Sequence, residues 1–205
     1  MFKRFSRNRV AQVFLVFFLV FIGLVISRIP VVMKRQKAQE TVSFIEAQKL
    51  TMGDVRGDNL PPTPDPNLVD ATIEGVDVNG NYIRDDVELA IFEKYPDDMK
   101  VRAAELQYAM ALQLYLTKVV DTTTWVAGAR QTGRGFGCIF ETIPDVSLYM
   151  SDKEASEIFK IADVRIEDVE QLVLNTSKRM DYYKKVDGYI TTYSSSSEED
   201  CDLKF

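Results

Sequence analysis

Asp77, Asn79, Asn81, Asp85 and Glu88 place five oxygen-bearing side chains along one short stretch, Asp77-Val-Asn-Gly-Asn-Tyr-Ile-Arg-Asp-Asp-Val-Glu88. Acids and amides at alternate positions let a curling loop turn several oxygens toward one point. Hard oxygen donors gathered this way suit a hard cation, calcium above all, which takes about six to eight such ligands in flexible geometry. Other chemistry is scarce. The chain has no histidine, which removes Ser-His-Asp and Cys-His nucleophile activation, imidazole general-base work and most zinc sites. Cys138 has no evident base beside it. Carboxylate pairs occur at Asp85-Asp86, Asp97-Asp98 and Glu198-Glu199-Asp200, and a glycosidase needs only two at the right separation. Acids at helix starts and in tails mostly cap and solubilise, so the expectation is a protein that is not an enzyme. The alternative is a carboxylate-dependent hydrolase acting on cell-wall glycan.

The spacing of the five side chains is that of a twelve-residue EF-hand loop. Counted from Asp77 as position 1, the ligand positions 3, 5, 9 and 12 fall on Asn79, Asn81, Asp85 and Glu88, and Ile83 offers the backbone carbonyl of position 7. Two positions depart from the pattern. Tyr82 stands where glycine normally makes the sharp turn, and Arg84 stands where an apolar residue is usual. A metal-free reading also exists, because Asn79-Gly80 is a turn signal and Asp85, three residues before Glu88, has the spacing of a capping box.

On these residues the stretch resembles the Asp-x-Asn-x-Asn-Gly-x-Arg-Asp-Asp-Val-Glu loops of uncharacterised membrane-anchored bacterial proteins. It is similar, more distantly, to the calcium loops of dockerins and thrombospondin type 3 repeats. The resemblance covers about residues 75–96 and implies calcium ligation by Asp77, Asn79, Asn81, Asp85 and Glu88. Tyr82 for glycine and only three acidic ligands point to weak binding, in the roughly 10⁻⁴–10⁻³ M range of extracellular modules. A site of that kind is a structural staple.

The elements that must position this loop form an all-α chain with an N-terminal anchor. Residues 10–27 hold Gln12 as their one strongly polar side chain before Ser27. As a helix they span about 27 Å, close to a hydrocarbon core. No small-x-small cleavage pattern follows, so the run reads as an uncleaved transmembrane anchor in the lipid bilayer, behind a basic cytoplasmic segment at 1–9. Eight of the 25 basic residues and none of the 31 acids lie in residues 1–37, which leaves the rest of the chain with 17 basic against 31 acidic residues. So acidic a body does not suit nucleic acid, whose phosphates need clustered Lys and Arg.

Basic residues flank both ends of the span, so orientation rests on the acidic body, the two cysteines and the calcium loop. Together these place the C-terminal domain outside the cytoplasm of a cell-membrane protein; a cytoplasmic body is the alternative. Residues 28–50 read as a helical stalk, and residues 51–66, with four prolines, as a linker. Residues 67–190 read as a small helical bundle, an ectodomain with the calcium loop at 77–88, and residues 191–205 as a Ser/acidic tail.

Within the bundle, a short helix over 86–95 stops at Pro96, and a long one follows from Asp97 to about Val120. Its centre, Leu106 to Thr117, carries no charge and belongs inside a bundle. A helix from Thr122 is expected to end near Gln131, with Thr132-Gly-Arg-Gly-Phe-Gly-Cys138 as a flexible loop. Ser151-Asp-Lys-Glu154 is a capping box opening a helix to about Lys185, with Asn175-Thr-Ser177 inside it. Two cysteines outside a membrane allow one intramolecular disulfide, Cys138–Cys201; free or intermolecularly paired thiols are the alternative. The function expected is a structural or interaction role with a protein partner in the cell envelope. A further alternative is a subunit of a membrane complex assembled through span and stalk.

Overall fold

The uncharged middle of the most deeply buried helix dictates the architecture. In the computed structural model, which describes residues 7–144, 151–195 and 199–205, helix α5 (Met99–Lys118) is buried at every position from Arg102 to Leu116. A helix with no solvated face has to be wrapped, and α4 (Asp85–Lys94), α6 (Thr122–Glu141), α7 (Asp152–Val173) and α8 (Ser177–Asp187) all pack on it, with α2 (Met52–Arg56) also in contact. A one-turn helix, α3 (Pro66–Val69), precedes the acid-amide loop. No strand occurs among the described residues, and the fold is all-α.

The chain divides into two compact units, residues 1–40 and 41–205. The first is the greater part of α1 (Arg7–Ala47), a continuous helix that carries Pro30 inside it. Its apolar side chains from Val13 to Met33 are exposed, and this one helix is long and apolar enough to cross a membrane. Residues 1–6 of the basic segment and 196–198 of the tail lie outside the described residues. In the second unit, the last turns of α1 bring in Ile45, fully buried, beside Trp125 and Val186.

Three stretches fold differently from expectation. The glycine-rich segment 132–138 is helical, and α6 runs unbroken to Glu141. Glycine is a poor helix former, yet here it admits a close approach. A Cβ on Gly135 would lie 2.9 Å from the Tyr108 Cα, and one on Gly128 would lie 2.8 Å from a Val119 methyl. At Gly128 and Gly135, close packing against the α5 segment therefore outweighs roughly 1 kcal/mol of propensity per glycine.

The stretch 51–66 is not a bare linker. Thr51 and Asp54 form a capping box that opens α2, Val55 is fully buried, and Arg102 Nε donates to the Val55 carbonyl at 2.9 Å. The helix expected to reach Lys185 breaks after Leu174. Thr176 caps a new helix by accepting the Arg179 N–H, so the exposed Asn175 sits in a turn and not inside a helix.

The end of the tail is docked. Asp202 accepts from Arg134 Nη2 at 2.7 Å and from the Leu50 N–H at 2.9 Å, and Gln107 exchanges hydrogen bonds with Asp200 and Asp202. The sulfurs of Cys138 and Cys201 are 2.00 Å apart, at bonding distance. A crosslink spanning 63 residues restricts the unfolded chain by about 4 kcal/mol on a chain-entropy estimate.

Buried arginines hold the non-helical segments in place. Arg179, fully buried, donates to the carbonyls of Val69, Thr72 and Ile73 and to Asp70 and Asn175. It collects the backbone that leads into the acid-amide loop. Arg84, 1% exposed, grips both oxygens of Asp86 and the carbonyls of Leu172 and Val173 at the end of α7. A cation at the carbonyl end of a helix also meets the negative end of its dipole. The loop is thus pinned at its entry and its exit.

Candidate metal site

The loop curls because its own side chains replace backbone partners. Asp77 accepts the Gly80 N–H through Oδ1 at 2.8 Å and the Tyr82 N–H through Oδ2 at 3.0 Å. Asn79 Oδ1 accepts from Asn81 N at 3.3 Å, and Asn81 Oδ1 from Ile83 N at 2.9 Å. Asp85 then folds the end of the loop onto its beginning: its Oδ1 accepts from Val78 N at 2.9 Å and its N–H donates to the Val76 carbonyl at 2.8 Å.

Backbone handedness falls where a loop of this length needs it. Gly80 has φ +73°, and Tyr82 at position 6 has φ +63°, taking the left-handed conformation that glycine usually supplies. For a residue with a side chain this costs about 1–2 kcal/mol. The ring offsets part of it by packing edge-on against Phe44 at 5.3 Å between centroids. Ile83, fully buried, anchors the loop in the core. The first helical hydrogen bonds of α4 are accepted by the Arg84 carbonyl, one residue on, so the Ile83 carbonyl lies outside the helix ladder.

The capping box of the metal-free reading does not form. The N-cap of α4 is Arg84, which makes no side-chain cap bond. Glu88 points into the loop, where Asn79 Nδ2 reaches Oε2 and Asn81 Nδ2 reaches Oε1, both at 3.0 Å. Its carboxylate is buried, 1% exposed. Burial pushes it up to about 7, against the pull of the two amides, with Asp54 and Asp85 adding repulsion. Asp85 is fully buried and also shifted upward, first by burial; its Oδ2 has no hydrogen-bond partner.

The five side chains are therefore brought together, with Asn79, Asn81 and Glu88 in direct contact and Asp85 electrostatically coupled to Asp77 and Glu88. Among the described residues no three His, Cys, Asp or Glu side chains are grouped to hold an ion by themselves. A cation here would draw on the asparagine oxygens and a backbone carbonyl as well as the acids, a donor set that fits calcium and not zinc. For those oxygens to face the ion, the amides now donating to Glu88 would turn over.

Sequence spacing did not show the neighbours from α2 and the segment after it. Asn59 offers its carbonyl to Asn79 Nδ2 at 3.1 Å, and Asp54 is close enough to repel Glu88. Nothing in residues 51–60 signals contact with the loop except the capping box, which makes the segment helical. Comparison with known proteins finds no matching family model, no matching curated protein and no matching solved structure.

Proposed function

We propose that residues 77–88 hold a calcium ion that fixes the start of α4, in a protein anchored by a single membrane span with its acidic helical domain outside the cytoplasm. The ligands are Asp77, Asn79, Asn81, Asp85 and Glu88 with the Ile83 carbonyl. The observation that carries this reading is the pair of buried acids, Asp85 and Glu88, enclosed with amides and, among the described residues, answered by no cationic side chain. Buried carboxylates without a counter-ion are unfavourable, and a divalent cation answers both at once. With no histidine available for common catalytic chemistry, the role that suits such a domain is scaffold or interaction component of a cell envelope, the ion acting as a staple.

The test is calorimetric calcium titration of the full chain in detergent micelles, beside melting curves with calcium and with EDTA. The expected result is saturable binding with a dissociation constant on the order of 10⁻⁴–10⁻³ M. At about 10 mM calcium this stabilises the fold by about 1.4–2.7 kcal/mol, a rise in Tm of roughly 3–10 °C. Both effects should vanish in Asp77→Ala and Glu88→Ala. No heat and no Tm shift would leave the stretch as a turn that happens to bury acids. Protease protection in sealed right-side-out vesicles tests the orientation: residues 41–205 should be digested without permeabilisation.

A further inference from the structure

A second site lies away from the loop and shares no residue with it. Between α5, α6, α8 and the segment at 193, a groove of about 250 Å³ is lined by six aromatic rings, Tyr108, Tyr115, Trp125, Phe136, Tyr183 and Tyr193, together with the carboxylate of Asp187. No lysine or arginine lines it. The rings hold one another: Trp125 meets Tyr193 edge-on at 5.4 Å, and Tyr115 meets Tyr183 at 5.4 Å. Arg130 donates to the Ser194 carbonyl at 3.2 Å and so ties down the strand of chain that carries Tyr193.

The polar groups around the groove decide what it can take. Trp125 Nε1 donates to the Tyr115 hydroxyl at 2.5 Å, which donates to Asp187 Oδ1 at 3.2 Å. The Tyr108 hydroxyl donates to Glu170 at 2.8 Å, and Thr132 donates to carbonyls of its own helix. These donors are spent inside the protein. What remains to a ligand is ring faces, the hydroxyls of Tyr183 and Tyr193 and the acceptor oxygens of an exposed carboxylate. A cation needs no basic residue, and is attracted both by ring faces and by Asp187.

From this we infer that the groove binds a small organic cation, an alkylguanidinium or alkylammonium compound, with its charged head over the tyrosine and tryptophan rings and its N–H donors toward Asp187. The volume accommodates a head group and a short alkyl chain. Gly133 leaves open space on the α6 wall, where a side chain would narrow the entrance.

Trp125 is the chain's single tryptophan and reports on the site directly. The experiment is a fluorescence titration of the full chain in neutral detergent with n-butylguanidinium, against n-butylurea as a neutral analogue of similar shape. Saturable quenching by the guanidinium compound with none by the urea is the expected result. Asp187→Asn should weaken binding about tenfold and Tyr193→Ala by a few-fold, on the scale of a desolvated cation–π contact. Both residues are exposed, so circular dichroism and Tm should stay near wild type; raised salt should weaken binding to the wild type more than to Asp187→Asn. Equal response to the urea, an unchanged affinity in Asp187→Asn, or no saturable signal at about 50 mM would overturn the proposal. None of these outcomes bears on calcium.

Discussion

Two helices of this protein carry a glutamate in the first turn and use it in opposite ways. At the start of α7, Glu154 turns back: its Oε2 accepts the Ser151 N–H at 2.7 Å and the Ser151 hydroxyl at 2.7 Å. It is exposed, and those two donors hold its carboxyl below the ordinary carboxylate range. At the start of α4, three residues after Asp85, Glu88 turns the other way, into a loop of amides, and burial lifts it to about 7. One acid is solvated and satisfied as an anion. The other is withdrawn from water and opposed by neighbouring acids. An acid in the first turn closes a cap where a serine stands three residues before it as N-cap, and turns inward where the preceding residues curl over it.

The largest break in this comparison comes from the residue that keeps α4's start in place. Arg84→Met would leave Asp86 without its partner and the carbonyls of Leu172 and Val173 without donors. Removing one side of a buried charge network costs about 3–5 kcal/mol, and urea denaturation should show that loss with little change in slope. A loss under 1 kcal/mol would mean that the loop holds its shape without the clamp.

Next in size is Glu88→Gln, which keeps the shape and removes the charge. A carboxyl raised from 4.5 to about 7 binds its proton more tightly in the folded state. Metal-free stability therefore falls as pH rises from 4.5 through about 7, and above that the full cost, on the order of 2–3 kcal/mol, is present. At pH 8 in EDTA, Glu88→Gln should be more stable than wild type by about that much, while in calcium it should lose the ion's stabilisation. Opposite signs in the two buffers are the mark of a ligand. A destabilised variant in both would make Glu88 only a hydrogen-bonding group.

The parts of the molecule legible in the sequence are those set by near neighbours. The loop at 77–88 curls through its own Asp and Asn side chains, because Asx turns and a tight loop depend on residues two to five apart. The uncharged centre of α5 announced its own burial. What escaped the reading depends on distant partners. Gly135 and Gly137 look like a loop until α5 and Asp200 are beside them. Arg179 looks like a surface charge until the carbonyls of Val69, Thr72 and Ile73, more than 100 residues away, close on it. Backbone carbonyls carry no sequence signature, so a guanidinium that gathers them is invisible beforehand. Tyr82 departs from the glycine of the loop pattern, and it adopts the left-handed turn all the same, packed against Phe44.

The smallest effect, and the sharpest contrast of sign, belongs to α7. Ser151→Ala removes the N-cap and should lower Tm by about 2–4 °C at neutral pH. Glu154 has a lowered carboxyl, so the unfolded chain binds its proton more readily than the fold does. The cap's contribution is complete above the ordinary glutamate value of 4.5 and fades as pH falls through the folded value. The difference between wild type and Ser151→Ala should therefore shrink in acid. The difference between wild type and Glu88→Gln in EDTA should shrink over the same descent for the opposite reason, because there the wild type is recovering. Melting curves at pH 8, 6 and 4 separate the two: one gap closes by losing stability, the other by regaining it. If both gaps stay constant with pH, neither helix start owes its stability to the charge on its acid, and the contrast between cap and ligand fails at its root.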